Sequence, residues 1–345
     1  MKNRTIPFRD MHIRDLTHRQ MAGQRIMAGF TGTALNADLK YLIDTICVGG
    51  IILFSRNIEN AGQVWQLCAE ARAYAKSCGN PPLFIAVDQE GGSVARLKPP
   101  DFTELPAAAC IRDASEAAGF AEIAALELSQ AGINMNMAPV LDVADPDGNS
   151  VMTGRAYGND PVKVAEMGTA VISGLQKSRI MAVAKHFPGI GRTFTDSHSD
   201  RPDLGIPAAE LRARDLVPFS AAVRNHAAGI MLSHVRYGAF DKIWPASLSP
   251  AVASDLLRRK MGYSGLIFTD DLEMGAIARY YEMPEVARQI LEADIDIALI
   301  CHTMAKIEAA FETICAESAA TKSRRRLTEP VARILSTKKR YLGQA

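Results

Sequence analysis

Short apolar runs alternate with longer amphipathic stretches eight times along this chain, and no other feature constrains its fold as strongly. An apolar run followed by a helix-length pattern is typical of a βα unit, and consecutive units place their strands parallel in one sheet. Eight units predict an α/β fold, a single (β/α)8 TIM-type barrel, rather than an open doubly wound sheet. The predicted strands span 25–30, 50–54, 83–87, 133–140, 181–184, 229–233, 265–269 and 295–300. The predicted helices span 36–47, 60–77, 114–131, 161–178, 207–226, 248–261, 283–293, 303–319 and 328–341.

All 345 residues are predicted to form one barrel domain. No shift in composition and no Pro-, Gly- or Ser-rich linker divides the chain, and barrels of this kind commonly run past about 250 residues as one unit. We expect residues 1–20 to form an N-terminal extension and residues 321–345 to form a C-terminal helix.

Charge and hydropathy limit the partners and the compartment. Lysine plus arginine number 39 and aspartate plus glutamate 38, so no global field attracts nucleic acid or an anionic membrane. No apolar run approaches the roughly 18 residues of a membrane span, and the N-terminal residues lack a signal peptide's apolar core. The six cysteines include no CxxC pair, which favours reduced thiols. We expect a cytoplasmic protein, monomeric or weakly dimeric, with a small substrate and no nucleic-acid or membrane partner.

Polar side chains follow six of the eight predicted strands directly. They are Asp88, Asp142, Lys185, His186, His234, Asp270, Asp271 and His302. A charged residue after a strand often caps the next helix, so one case alone carries little weight. In a TIM barrel, however, catalytic groups lie at the C-terminal ends of the strands, and six in register predict a catalytic face.

The segment 185–198 adds an acid/base candidate. It holds a Lys-His pair, loop glycines at 189 and 191, and the unit Asp196-Ser197-His198. An aspartate two residues before a histidine can hydrogen-bond the imidazole, fix its tautomer and raise its basicity. The pattern indicates an acid/base group on a loop. The alternative is that Asp196 caps a turn and His198 is a solvated loop residue.

Asp270 and Asp271 offer a carboxylate that could act opposite such a histidine at a sugar's anomeric carbon. Retaining glycosidases normally use two carboxyl groups, so a histidine acid/base would be a departure. Because side chains alternate across a strand, we expect only one of the two aspartates to face the barrel mouth. Parity does not choose between them, and the pair could instead cap the following helix.

Several longer motifs carry a family resemblance. They are GQRIMAGF at 23–30, GGIILFSRN at 49–57, DQEGG at 88–92, APVLDV at 138–143, KHFPG at 185–189, DSH at 196–198 and DDLEM at 270–274. Together they are highly specific, and the chain resembles the family-3 glycoside hydrolases, in particular the single-domain bacterial β-N-acetylglucosaminidases. The resemblance covers nearly the whole chain.

The resemblance implies that Asp270 is the nucleophile and that His198, held by Asp196, is the general acid/base. It also implies a set of sugar-binding residues and no cofactor or metal ion. The set is Asp88, Arg96, Arg155, Lys185 and His186. A carboxylate in this set could accept hydrogen bonds from sugar hydroxyls, and the other members could donate them. Without the resemblance, either arginine is more readily explained as part of a structural ion pair.

Three positions depart from the family's usual pattern. The family usually reads Gly-His-Gly-Asp/Asn-Thr where this chain has GIGRT at 189–193, arginine where Ser93 stands, and aspartate where Gly154 stands. None of these removes a catalytic assignment. Ile190 and Arg192 change the polarity of the loop, and we expect them to affect its docking, rate or specificity.

The resemblance implies a retaining exo-β-N-acetylglucosaminidase that removes terminal N-acetylglucosamine from anhydro-muropeptides in cell-wall recycling. A β-glucosidase of the same family is the nearest alternative. Lys185 at a strand end also fits a Schiff-base aldolase, and the histidines fit a metal-dependent hydrolase, although no HxH or HExxH spacing supports a metal. A carbohydrate-binding scaffold without turnover is the non-enzymatic alternative.

Overall fold

The computed structural model describes residues 7–145, 150–193, 202–319 and 324–343. Within them, eight parallel strands close into a barrel in which each strand pairs with the next along the chain and the eighth pairs with the first. The strands are β1 Ile26–Ala28, β2 Gly50–Leu53, β3 Phe84–Val87, β4 Met135–Asn136, β5 Met181–Phe187, β6 Gly229–Leu232, β7 Leu266–Asp271 and β8 Ile297–Ile300. The predicted (β/α)8 TIM-type barrel is confirmed, and every strand overlaps its predicted range.

Helices connect the strands and pack around the barrel. They are α1 His18–Gly23, α2 Ala37–Asp44, α3 Ala61–Ser77, α4 Ala114–Gln130, α5 Pro161–Lys177, α6 Ala208–Ala213, α7 Leu216–Arg224, α8 Gly275–Ala278, α9 Met283–Glu292, α10 Met304–Ser318 and α11 Arg324–Leu342. A π-helical segment, Ala251–Lys260, replaces the helix predicted at 248–261. The predicted start of α5 is confirmed, because the Asp160 side chain accepts from the Val162 amide and Pro161 is the first helical residue.

Several elements differ from the prediction. The helix predicted at 207–226 is divided into α6 and α7, because Pro218 has no N–H to donate and Arg214 leaves helical dihedral angles, with φ −126° and ψ −72°. Helices α1 and α8 were not predicted, since six and four residues are too few for a clear period. Helix α1 begins at His18, inside the range expected to be an extension, with a capping box between Thr17 and Gln20.

The core has two layers that follow the alternation of each strand. In β3, Phe84 and Ala86 face the barrel interior, whereas Ile85 and Val87 face the helices. Methionines from several strands fill the interior together with phenylalanines and aliphatic residues. Its members include Met27, Ile52, Met135, Met181, Val183, Met231, Phe268, Ile297 and Leu299. The barrel centre is therefore packed, and space for a ligand lies beyond its strand ends.

Helix α11 closes the N-terminal end of the barrel. The fully buried Lys338 donates from Nζ to Gln24 Oε1 at 2.6 Å and to the Gly49 carbonyl at 2.8 Å, and lies 4.9 Å from the Phe84 ring centroid. Burial lowers the pKa of the Lys338 ammonium well below its ordinary value. With this end closed, the opposite end is left for a site.

Candidate active site

A cavity of about 280 Å³ opens at the C-terminal end of the barrel. Its polar lining includes Asp88, Arg96, Lys185, Asp270, Asp271 and His302. The volume lies just below the roughly 300–1,000 Å³ of pockets for larger ligands, which suits a single sugar ring. These residues come from the ends of β3, β5, β7 and β8 and from the loops that follow, as the barrel prediction required.

A buried ionic cluster forms one wall. Lys185 Nζ lies 2.7 Å from Asp88 Oδ1 and 2.6 Å from Glu90 Oε1. Arg155 binds both Glu90 oxygens, at 2.9 and 2.8 Å, and Arg96 lies 3.5 Å from Asp88 Oδ2. Glu90 was not predicted as a site residue, although it lies within the DQEGG motif, because sequence does not show which carboxylate of that motif pairs with two cations.

Within the cluster, neighbouring charges outweigh burial at Glu90 and Lys185. Burial alone would raise the pKa of Glu90, but Lys185 and Arg155 outweigh it and lower that pKa to about 2. Burial alone would likewise lower the pKa of Lys185, yet Asp88 and Glu90 hold it above its ordinary value. Lys185 is therefore a cationic hydrogen-bond donor. A Schiff base requires a deprotonated amine, so this geometry argues against the aldolase alternative.

Asp270 and Asp271 both line the cavity, so the expectation that only one would face the mouth was wrong. The pairing of β7 with β8 shifts register between Phe268 and Asp271, and this irregularity interrupts the alternation of side chains. Asp270 Oδ1 accepts from the Asp271 amide at 2.8 Å. Asp271 Oδ2 lies 3.1 Å from His302 Nε2.

Their surroundings shift the pKa values of the two aspartates in opposite directions. Burial would raise the pKa of Asp270, but His234, His186 and the Asp271 amide outweigh it, and the pKa lies below its ordinary value. Burial raises the pKa of Asp271 despite the neighbouring His302. Asp270 is the better placed of the two to act as a carboxylate nucleophile.

His234 supports the end of β7. Its Nδ1 lies 2.7 Å from Ser247 Oγ, and its Nε2 lies 2.7 Å from the Asp271 carbonyl oxygen. Burial lowers the pKa of His234. Because a carbonyl only accepts, Nε2 carries a proton, and Nδ1 forms a hydrogen bond with the Ser247 hydroxyl. His234 therefore fixes the backbone beside Asp270.

An aromatic and cationic rim lies beside the cavity at the end of β2. Phe54 and His302 have ring centroids 5.7 Å apart, and Arg56 lies 4.5 Å from the Phe54 ring centroid. Arg56 donates to the Cys301 carbonyl at 2.6 Å and to the Phe30 carbonyl at 3.0 Å. The motif at 49–57 contained Phe54 and Arg56, but their contacts with the end of β8 depend on barrel closure.

Two predicted sugar-binding residues do not line the cavity itself. Arg155 reaches the wall through Glu90, and His186 is buried with its Nδ1 2.7 Å from Asp142 Oδ2. Asp196 and His198 lie outside the described residues.

The departures at Ile190 and Arg192 are not among the residues that line the cavity. Ile190 is buried, and Arg192 pairs with Asp215 at 2.6 Å and also with Glu210. These contacts attach residues 190–193 to α6 and the start of α7.

In the described portions of the chain, no group of three or more His, Cys, Asp or Glu side chains is arranged to hold a metal ion. No described helix combines the length and apolarity needed to cross a membrane.

Comparison with known proteins identifies similar chains. Residues 13–337 match the family described as Glycosyl hydrolase family 3 N terminal domain. A beta-hexosaminidase from Methylococcus capsulatus is 36% identical over 307 residues, covering 87% of this chain and 90% of the relative.

Solved structures agree with this match. A glycoside hydrolase family 3 beta-N-acetylglucosaminidase from Paenibacillus sp. has a TM-score of 0.92 at 38% identity, covering 96% of this chain and 64% of that longer chain. NagZ from Neisseria gonorrhoeae, in complex with N-trifluoroacetyl-D-glucosamine, has a TM-score of 0.73 at 30% identity, covering 90% of this chain and 98% of that chain.

Proposed function

Because the chain belongs to glycosyl hydrolase family 3 and is a glycoside hydrolase, we propose that it is a retaining exo-β-N-acetylglucosaminidase. The observation that carries the proposal is Asp270, a carboxyl whose pKa is held low in the cavity at the end of β7. The similarity to beta-hexosaminidases and to a complex with an N-acylated glucosamine supports the choice of sugar.

In the proposed reaction, Asp270 attacks the anomeric carbon while the bond to the leaving oxygen breaks. His198, paired with Asp196, gives its proton to that oxygen. Water then attacks the covalent glycosyl-enzyme, transfers a proton to His198 and releases the sugar and the Asp270 carboxylate. Two displacements at one carbon give net retention.

The ionic wall is proposed to bind the sugar. Asp88, Arg96 and Lys185 line the cavity together. Asp88 offers an acceptor, and Arg96 and Lys185 offer cationic donors, to sugar hydroxyl or acetamido groups. Arg155 contributes by holding Glu90 in place, and His186 is the fifth member of the proposed set. In this role Lys185 positions the sugar and forms no covalent bond.

The wider context is also part of the proposal. The whole chain would act as one catalytic barrel, as a monomer or weak homodimer, and trim N-acetylglucosamine from anhydro-muropeptides in the cytoplasm. The expected partner is a small carbohydrate. Turnover of a β-glucoside in preference to a β-N-acetylglucosaminide would contradict the proposed sugar and favour a β-glucosidase.

Trapping the glycosyl-enzyme tests the mechanism directly. A fluorinated N-acetylglucosaminyl fluoride slows release of the sugar, so the labelled protein can be digested and sequenced by mass spectrometry. We expect the label on Asp270. A label on the adjacent Asp271, or turnover that inverts the anomeric centre by NMR, would contradict the proposal.

His302 offers a matched control for the acid/base assignment, because it is a histidine beside Asp271 at the mouth of the cavity. A substrate with an activated leaving group needs little protonation to form the glycosyl-enzyme. We expect His198→Ala to lose far more kcat/KM on a poor leaving group than on an activated one. The same dependence in His302→Ala, with none in His198→Ala, would move the role to His302.

A further inference from the structure

Asp142 is a fully buried carboxylate behind the cavity, at the end of the segment that follows β4. Its Oδ2 lies 2.7 Å from His186 Nδ1, and its Oδ1 accepts from the Ile190 amide at 2.7 Å. The His186 amide also points at this carboxylate, at 3.3 Å from Oδ2. Among the described residues, His186 is the basic side chain that contacts Asp142.

Burying a carboxylate costs free energy unless its hydrogen-bond partners compensate. The contacts of Asp142 therefore indicate its role. A carboxylate facing Nδ1 requires a proton on that nitrogen. In a neutral imidazole the other nitrogen, Nε2, then carries a lone pair and accepts hydrogen bonds. Asp142 thus determines what His186 can offer to a ligand.

His186 lies close to the site chemistry. It directly follows Lys185, which lines the cavity, and its own side chain is 6% exposed. The pairing of β5 with β6 shifts register between Ala184 and Phe187, so these neighbouring side chains depart from strict alternation. Lys185 and His186 can therefore serve one ligand together.

We propose that Asp142 is a positioning residue that fixes His186 with Nδ1 protonated, so that Nε2 accepts a hydrogen bond from a sugar hydroxyl. The ammonium of Lys185 only donates, so the two neighbours form one donor and one acceptor for adjacent polar groups of the sugar. This deepens the proposed function and rests on it for the identity of the ligand.

Asp142 also ties the residues before 194 to the barrel. Its Oδ1 holds the Ile190 amide, and a Cβ on Gly191 would lie 1.9 Å from the Val143 carbonyl oxygen, so this backbone lies directly against the segment after Asp142. An alanine at Asp142 would disturb both functions. The test therefore needs variants that separate them.

Two near-isosteric variants do so. Asp142→Asn keeps an oxygen for the Ile190 amide but presents an NH2 group to His186, which favours a proton on Nε2 instead of Nδ1. His186→Asn places an amide NH2 where Nδ1 was, so Asp142 keeps a donor while the Nε2 acceptor is lost. The same change in sugar binding in both variants would not arise from general loosening of the backbone around Asp142.

The first readout is the tautomer itself. In protein labelled with 15N at histidine, two-bond 1H–15N correlations distinguish the Nδ1–H from the Nε2–H ring, and His186→Asn assigns the signal among the seven histidines. We expect Nδ1–H in the wild type and Nε2–H in Asp142→Asn. An Nε2–H ring in the wild type overturns the proposal whatever the enzyme turns over.

The second readout is binding of N-acetylglucosamine and its 3-, 4- and 6-deoxy analogues by calorimetry. We expect one deoxy analogue to bind the wild type about tenfold more weakly than the parent sugar, because one hydrogen bond is lost. That difference should disappear in Asp142→Asn and His186→Asn, whose affinity for the parent sugar falls roughly 10- to 100-fold. A difference that persists in both variants overturns the proposal.

The outcomes separate this inference from the proposed function. Binding with the expected tautomer and deoxy pattern, but without glycoside turnover, would support the inference and contradict the proposed reaction. Turnover with Asp270 labelled, but with His186 in the Nε2–H tautomer, would support the proposed reaction and contradict the inference.

Discussion

Asp270 and Asp271 are adjacent, yet their surroundings shift the pKa of their carboxyls in opposite directions. Burial raises both, but His234 and His186 reverse the effect at Asp270, whereas burial prevails at Asp271 even beside His302. Paired acids with divergent pKa values are characteristic of catalytic sites with divided roles. At the scale of single residues, the two aspartates are not interchangeable.

We expect Asp270→Ala to lower kcat/KM for a chromogenic β-N-acetylglucosaminide by on the order of 10³-fold or more, because the nucleophile is lost. Azide can occupy the space left by the carboxyl and should restore turnover with an α-glycosyl azide as product. The measurement is the rate with and without azide, with the product configuration by NMR. Asp271→Ala is the matched variant, and formation of the α-azide there instead would contradict the assignment.

Glu90 should stabilise the fold in a pH-dependent way. Its pKa is about 2 in the folded protein against an ordinary 4.5, so its contribution is present above about pH 4.5 and is lost as pH falls toward 2. We expect Glu90→Gln to lower the free energy of unfolding at pH 7 by about 3–5 kcal/mol, because Lys185 and Arg155 lose a buried partner. The deficit should shrink between pH 4.5 and 2 in urea titrations.

The exposed Glu317 provides the control for that experiment. Its ion pair with Arg288 has both side chains about half exposed. Glu317→Gln should change stability by less than about 1 kcal/mol at any of these pH values. A Glu90→Gln deficit that is equally small would mean that the ionic wall does not support the fold.

At the scale of elements, the sequence predicted the strands correctly but not the arrangement of side chains at their ends. The short continuous apolar runs located all eight strands, because each strand is buried on both faces. Strand alternation failed at Asp270 and Asp271, where the register shift is a property of pairing with β8 and leaves no signal in β7 alone. Glu90 and the Ser247 contact of His234 likewise depend on packing between distant segments.

Residues 190–193 are anchored by a pair that the family pattern did not predict. Arg192 contacts Asp215, which is 1% exposed, and burial raises the pKa of that carboxyl despite the arginine. We expect Arg192→Gln to lower the free energy of unfolding by about 3 kcal/mol at pH 7, since a buried carboxyl loses its cation. Chemical denaturation measures the change.

The sign of its pH dependence follows from Asp215. A carboxyl whose pKa is raised in the folded state destabilises it once pH exceeds its ordinary value of 3.8, and loss of Arg192 raises that pKa further. The deficit of Arg192→Gln should therefore be largest at neutral pH and smallest below pH 3.8. Arg288→Gln, at an exposed pair, should show neither the deficit nor its pH dependence.

The whole molecule has a closed end and an open end. Helix α11 packs Lys338 under the barrel, and the cavity lies at the opposite strand ends. The sequence predicted both the barrel and a C-terminal helix, but the helix's place under the barrel could not be inferred, since its basic residues resemble a solvated surface.

We expect Lys338→Met to change how stability depends on pH. Burial lowers the pKa of Lys338 well below 10.5, so in the wild type this group adds stability as pH rises toward 10.5 and removes it as pH falls. The free energy of unfolding of the variant should lack that rise with pH. The unpaired Gln24 and Gly49 acceptors should lower it by an amount that does not depend on pH. Parallel stability curves between pH 7 and 10.5 would contradict the assignment.

The contacts of Arg25 also set an order of events during synthesis. Arg25, in front of β1, donates to the carbonyls of Ile295, Asp296 and Arg326, the last of which is 301 positions away. Before the ribosome has synthesised these residues, β1 lacks its partner β8. Helix α11 does not yet close the N-terminal end of the barrel. Until then both edges of the growing sheet are exposed, so a nascent chain of this protein needs protection from self-association until its final turns emerge.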